Sequence, residues 1–112
     1  MHEAGLAQRI LTIVRKAMAK SGESLGRAKA VVLEVGALAG IDQEALAFAF
    51  LALSSGTQEE GVRLEFLRVP STGYCFSCEK TVMLDAPLCP VCQQACLVQE
   101  GPFSVREIIF EA

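Results

Sequence analysis

Several things that would assign this chain to a large functional class are missing. No apolar stretch approaches the roughly 20 residues needed to span a bilayer. The longest, ALAFAFLAL at 45–53, is about half that length and reads as a buried helix. The first residues, MHEAGLAQRI, lack the basic-then-apolar plan of a secretory signal, because an acid stands at Glu3 and the first arginine at Arg9. A cytoplasmic location is therefore expected, with no membrane partner. Excess positive charge is also absent: the net charge is −3 and the isoelectric point is near 5.1. Such a chain has no general attraction for phosphate backbones, so nucleic-acid binding would need a local basic patch. No phosphate loop and no paired nucleophile and general base stand out, so no enzyme is expected. Histidine is nearly missing too. The one copy, His2, occupies a position where most chains fray.

What is present suits one small globular domain. The chain has 112 residues, 52% hydrophobic and 21% charged, and a domain near this size buries about two-thirds of its unfolded surface. Leu6, Ile10, Ile13, Val14 and Met18 return at helical spacing, which predicts an amphipathic helix over 3–20, ended by SGES at 21–24. AVVLEV at 30–35, bounded by Gly36 and Gly40, predicts a short buried strand. Asp42 is placed to cap a second helix through DQEALAFAFLALSSG, apolar almost all round and so expected to pack on a broad face. VRLEFLRV at 62–69 alternates and is stopped by Pro70; FSVREIIFEA at 103–112 predicts a last strand. The expected class is α+β, a small mixed three-stranded sheet covered by two helices. The second and third strands are expected to meet as neighbours around the segment inserted between them. The expected division is 1–70 with 101–112 as one domain and 71–100 as the insert.

The insert carries the strongest chemical signal. Cys75 and Cys78, ten intervening residues, then Cys89 and Cys92 make two knuckles able to turn four thiolates inward. Four sulfurs at about 2.3 Å satisfy tetrahedral zinc, in most cases as a structural site. The ten-residue gap is read as a small turn, and Pro90 favours a bend in the second knuckle. A thioredoxin-like redox pair is the less fitting alternative, since that motif normally stands alone at a helix start. Five cysteines in a chain of this kind point to metal before disulfides, and Cys96 is left over as a spare thiol.

Met-His at the start offers an amine, the His2 amide nitrogen and the His2 imidazole, which can close adjacent chelate rings on one metal; the Glu3 amide or carboxylate can add a fourth donor. Nitrogen-rich, tetragonal sets suit Ni(II) and Cu(II). Initiator methionine is normally removed only before small residues, so Met1 is expected to remain before His2. On the residues alone, a merely solvated His2 remains the simpler reading.

Taken together, the start MHE, the block VLEVGALAGIDQEALAFAF, the segment GTQEEGVRLEF and the spaced CFSC and CPVC pairs resemble the HypA/HybF family of nickel chaperones for hydrogenase maturation. The resemblance implies an α/β nickel-binding domain carrying a four-cysteine zinc domain. It implies delivery of transiently bound Ni(II) to the precursor of the [NiFe]-hydrogenase large subunit with a HypB-type GTPase, and in some organisms service to urease maturation. Carried onto this chain, nickel falls to Met1, His2 and Glu3, and structural zinc to Cys75, Cys78, Cys89 and Cys92. Asp42 matches a further nickel neighbour of some relatives and is equally explained as a helix cap. The insert has no histidine, and Phe103 stands where an acid is common in the family. A zinc-ribbon module for nucleic acid or transcription machinery is the competing reading; the acidic charge, with only Arg68 and Lys80 near the knuckles, opposes it.

Overall fold

The computed structural model describes residues 2–21, 26–99 and 101–111. Along the chain run α1 (Glu3–Ser21), β1 (Arg27–Gly36), α2 (Gln43–Ser54), β2 (Arg63–Val69), β3 (Ser71–Cys75), β4 (Lys80–Leu84), β5 (Leu97–Val98) and β6 (Phe103–Glu111). Two compact units result: Met1–Leu33 with Ile41–Phe66 and Val105–Ala112, and Glu34–Gly40 with Leu67–Ser104. The class is α+β, as the sequence pattern predicts.

In the first unit α1 buries Ala7, Ile10, Leu11 and Val14, a stripe at helical spacing. Glu3 in its first turn and Lys20 in its last oppose the helix dipole favourably. The expected stop at 21–24 lies, beyond Ser21, outside the described residues. Asp42 caps α2, its Oδ1 accepting from the Ala45 amide at 3.0 Å, and α1 and α2 pack on each other.

Two sequence expectations change here. The helix α2 is not buried all round: Leu46, Phe50 and Ser54, four residues apart, are its buried row, whereas Phe48 is 71% and Leu51 60% exposed. A helix touching its surroundings along one line covers one row of side chains, however apolar the others are. The second correction concerns strand order. The sheet runs β2-β1-β6, so the two strands that flank the insert are not neighbours. In β1 consecutive residues Ala30 and Val31 are both fully buried, so both of its faces are covered. That strand takes the centre, and β2 and β6, largely half-exposed, take the edges.

The second unit contains a sheet where the cysteine spacing predicts only knuckles and a turn, ordered β4-β3-β5 with both pairings antiparallel. Ser71 faces Leu84 and Gly73 faces Val82, all four buried. A side chain at Gly73 would strike Leu84 Cδ1, so glycine there lets Leu84 cover the sheet. Gly36 and Gly101 pass backbone to backbone over Ser71: a Cβ on Gly36 would lie 2.8 Å from Gly101 Cα and 2.9 Å from Ser71 Oγ. The crossing is tied by Gly36 N–H to Pro102 O at 2.6 Å and Ala37 N–H to Val69 O at 2.7 Å. Leu38 N–H donates to Ser71 Oγ at 2.8 Å. This unit's core is Cys75, Val82, Leu84 and Cys89, with Leu38, Cys78, Cys92 and Cys96 packed around it.

Candidate metal centres

The first knuckle grows from the end of β3. Cys75 is its last residue, and Glu79, with φ 54, turns the chain back into β4. The second knuckle is closed by a tight loop: Cys89 N–H donates to Gln94 O at 2.8 Å and Gln93 N–H to Cys89 O at 2.9 Å. Gln93 takes φ 67, and Leu88 bridges Ala95. Each loop aims an amide at the sulfur that opens it, Cys78 N–H at Cys75 Sγ and Val91 N–H at Cys89 Sγ, both 3.4 Å.

The four sulfurs lie within 4.8 Å of one another and can hold a metal ion. Cys75 Sγ is 3.5 Å from Cys92 Sγ, and Cys78 Sγ is 4.0 Å from Cys89 Sγ. All five cysteines are free. A regular tetrahedron with bonds of about 2.3 Å has edges of about 3.8 Å, and these two sulfur–sulfur separations lie on either side of that value. Cys75 and Cys89 are fully buried, Cys78 and Cys92 half-buried. A set of four thiolates closed in this way leaves no open coordination position, the character of a structural centre.

Electrostatics divides the four thiols. The Cys78 amide holds Cys75 below the ordinary thiol value. The backbone amides of Cys92 and Val91 bring Cys89 down to about 6. Cys78 is pushed up to about 12, first by its hydrogen-bonded neighbour Cys92 and then by burial. Negative sulfur beside sulfur is costly, so the cluster sheds its remaining protons only against a cation. Cys96 lies against the same core, and burial, then the charge of Cys75, raises it to about 11.

Of the expected nickel residues, Met1 lies outside the described residues. His2 is exposed, and its carbonyl accepts the first helical bond from Leu6 N–H at 2.9 Å. Glu3 is buried, 8% exposed, and its Oε2 accepts the Asp42 amide at 3.1 Å. The first turn of α1 is thereby fixed to the cap of α2, which brings Glu3 and Asp42 together. Asp42 Oδ1 itself is engaged by the Ala45 amide of its own helix. The Glu3–Asp42 pairing spans 39 positions, and no local pattern announces it.

Known proteins resemble this chain in sequence and in fold. The family model described as HypA, hydrogenase/urease nickel incorporation metallochaperone, matches residues 1–108. The chain is 38% identical over 94 residues to hydrogenase maturation factor HypA of Dechloromonas aromatica, covering 82% of this chain and 81% of that one. It is 33% identical over 108 residues to the Rhodobacter capsulatus factor of the same name, covering 95% and 94%. The solution structure of the Ni metallochaperone HypA from Helicobacter pylori superposes with a TM-score of 0.68 at 15% identity, over 100% of this chain and 99% of that one, and shares the fold.

Proposed function

Since the chain belongs to the HypA family of hydrogenase/urease nickel-incorporation metallochaperones, we propose that it carries Ni(II) as cargo to the precursor of the [NiFe]-hydrogenase large subunit, working with a HypB-type GTPase. Membership makes it a metallochaperone and not an enzyme. Urease maturation proteins are the second class of client, in keeping with the family description. The setting is the cytoplasm.

Nickel is held in this proposal by the Met1 amine, the His2 imidazole and the backbone nitrogens of His2 and Glu3. The observation that carries it is the fixing of Glu3 by the Asp42 amide. A buried carboxylate anchors Glu3, so His2 beside it starts from a fixed point. Nitrogen donors in a tetragonal set suit Ni(II), and sulfur donors in a closed tetrahedral set suit zinc, so the two centres sort the two metals by ligand chemistry. Zinc is assigned to Cys75, Cys78, Cys89 and Cys92, where it would supply cohesion to a segment with a small apolar core. The proposed nickel-binding domain is residues 1–70 and 101–112 and the proposed zinc-binding domain 71–100, with 34–40, 67–70 and 101–104 packed in the second unit.

The test is an extension of the chain. Two residues added before Met1 turn its amine into a peptide nitrogen while leaving His2 in place. The extended protein is expected to keep its fold and one zinc and to lose at least tenfold in Ni(II) affinity by calorimetry, as His2→Ala would. Undiminished nickel binding in the extended protein would overturn backbone chelation at the start of the chain.

A further inference from the structure

Away from both centres, the second half of α1 and the loop between α2 and β2 enclose an open cavity of about 490 Å³. Met18 and Ala19 form its apolar wall; Arg15, Thr57, Gln58 and Glu59 are its polar side. Glu59 is only 4% exposed. Its Oε1 accepts from Arg15 Nε at 2.8 Å. The loop that presents it is fixed, Thr57 Oγ1 donating to Ser54 O at 2.6 Å and accepting from Glu59 N–H at 3.2 Å.

The pair is incompletely used. A carboxylate offers about four acceptor sites and a guanidinium five donors, yet a single bond joins these two. Glu59 Oε2 and the terminal nitrogens of Arg15 have no further partner among the described residues. Glu59 Oε2 is also not sealed from solvent, since no buried side-chain oxygen among the described residues lacks a partner. Arg15 and Glu59 stand side by side in the cavity lining, one a set of donors and the other a largely buried acceptor, joined by that bond. Their charges cancel, so a simple anion or cation entering would leave one charge unbalanced in a partly desolvated place. A ligand with both charges leaves none.

We propose that this cavity binds a zwitterionic α-amino acid with an apolar side chain, its carboxylate on the terminal nitrogens of Arg15, its ammonium on Glu59 Oε2 and its side chain against Met18 and Ala19. The volume is within the roughly 300–1,000 Å³ of small-molecule sites. The same chemistry could reach the cavity from the end of a peptide, which offers one of the two charges only. The occupant would join α1 to the 57–59 loop and so stabilise the first unit in proportion to its concentration.

The test varies the ligand and leaves the protein unchanged, so it does not depend on the folding of a variant at Glu59. Amide resonances of the full-length, zinc-loaded chain are followed by NMR during titration with L-leucine, N-acetyl-L-leucine and L-leucinamide. L-leucine is expected to give saturable shifts at Met18, Ala19, Thr57 and Gln58, and each blocked form to bind at least tenfold more weakly. Arg15→Gln should lose the response to L-leucine. Equal binding of N-acetyl-L-leucine would assign the cavity to a peptide C-terminus, and equal binding of L-leucinamide to a peptide N-terminus. Either result overturns the amino-acid assignment, as does the absence of saturable shifts at those four amides.

Discussion

The cysteines of the second unit show how much depends on single hydrogen bonds. Cys75 and Cys89 open their knuckles, receive the amides of Cys78 and Val91, and are fully buried. Serine in place of either shortens the donor and removes a soft thiolate, and three sulfurs no longer close the site. Cys75→Ser and Cys89→Ser are expected to drop bound zinc from one equivalent to near none by metal analysis. Helical circular dichroism should persist, because α1 and α2 are buried on apolar residues of the other unit. Loss of all helical signal would show that the helices depend on the metal. Gly36 is sterically confined by backbone: a methyl group there would lie 2.8 Å from Gly101 Cα and 2.9 Å from Ser71 Oγ. Gly36→Ala is expected to cost about 1–3 kcal/mol, the usual range for overpacking, measured as a fall in the urea midpoint at unchanged slope.

Among the elements, α2 departs furthest from its sequence pattern. Four large apolar residues, Leu46, Phe48, Phe50 and Leu51, are equally hydrophobic in composition, yet two are buried and two exposed. Phe50→Ala should cost about 3–5 kcal/mol through the cavity it leaves. Phe48→Ser should stay within about 0.5 kcal/mol, as surface changes usually do. Denaturant unfolding of the two variants side by side checks the contrast, and equal losses would mean that Phe48 is covered in solution. The four-residue row also explains why a second helix so apolar coexists with an amphipathic first one: α1 supplies a complementary stripe, and one stripe needs only one row.

At the scale of the whole molecule, the two proposed metals should part company in acid. An α-amine and an imidazole have reference values of roughly 7.7–8.0 and 6.5, and protons compete with metal for both. Below those values nickel affinity falls with each further step down in pH. All four thiolates close on one ion in a set with no open position, so zinc should survive further down in pH. At about pH 5.5, below both reference values, nickel is expected to be released and zinc retained, as read by metal analysis after gel filtration. Equal retention of both would count against nitrogen ligation at the chain start.

The sequence determined what depends on neighbours along the chain: the span of α1 from its stripe and end charges, the start of α2 at the Asp42 cap, and the termination of β2 before Pro70. The spacing of the two knuckles was equally readable, because two residues between cysteines suffice to fix a tight turn. With the blocks around them, those knuckles were enough for the family. The tertiary structure alone decided what depends on residues far apart. It placed β1 between β2 and β6, since only packing on both faces reveals a central strand. It drew β4 out of the gap between the knuckles, where alternation of Val82 and Leu84 needed Gly73 and Ser71 opposite to become a sheet. It set Glu3 under the Asp42 amide and Arg15 against Glu59, pairs 39 and 44 positions apart. Periodicity and capping are local and survive in a one-dimensional pattern; strand order and long-range pairing are fixed by which surfaces exclude water together, and no single segment encodes that.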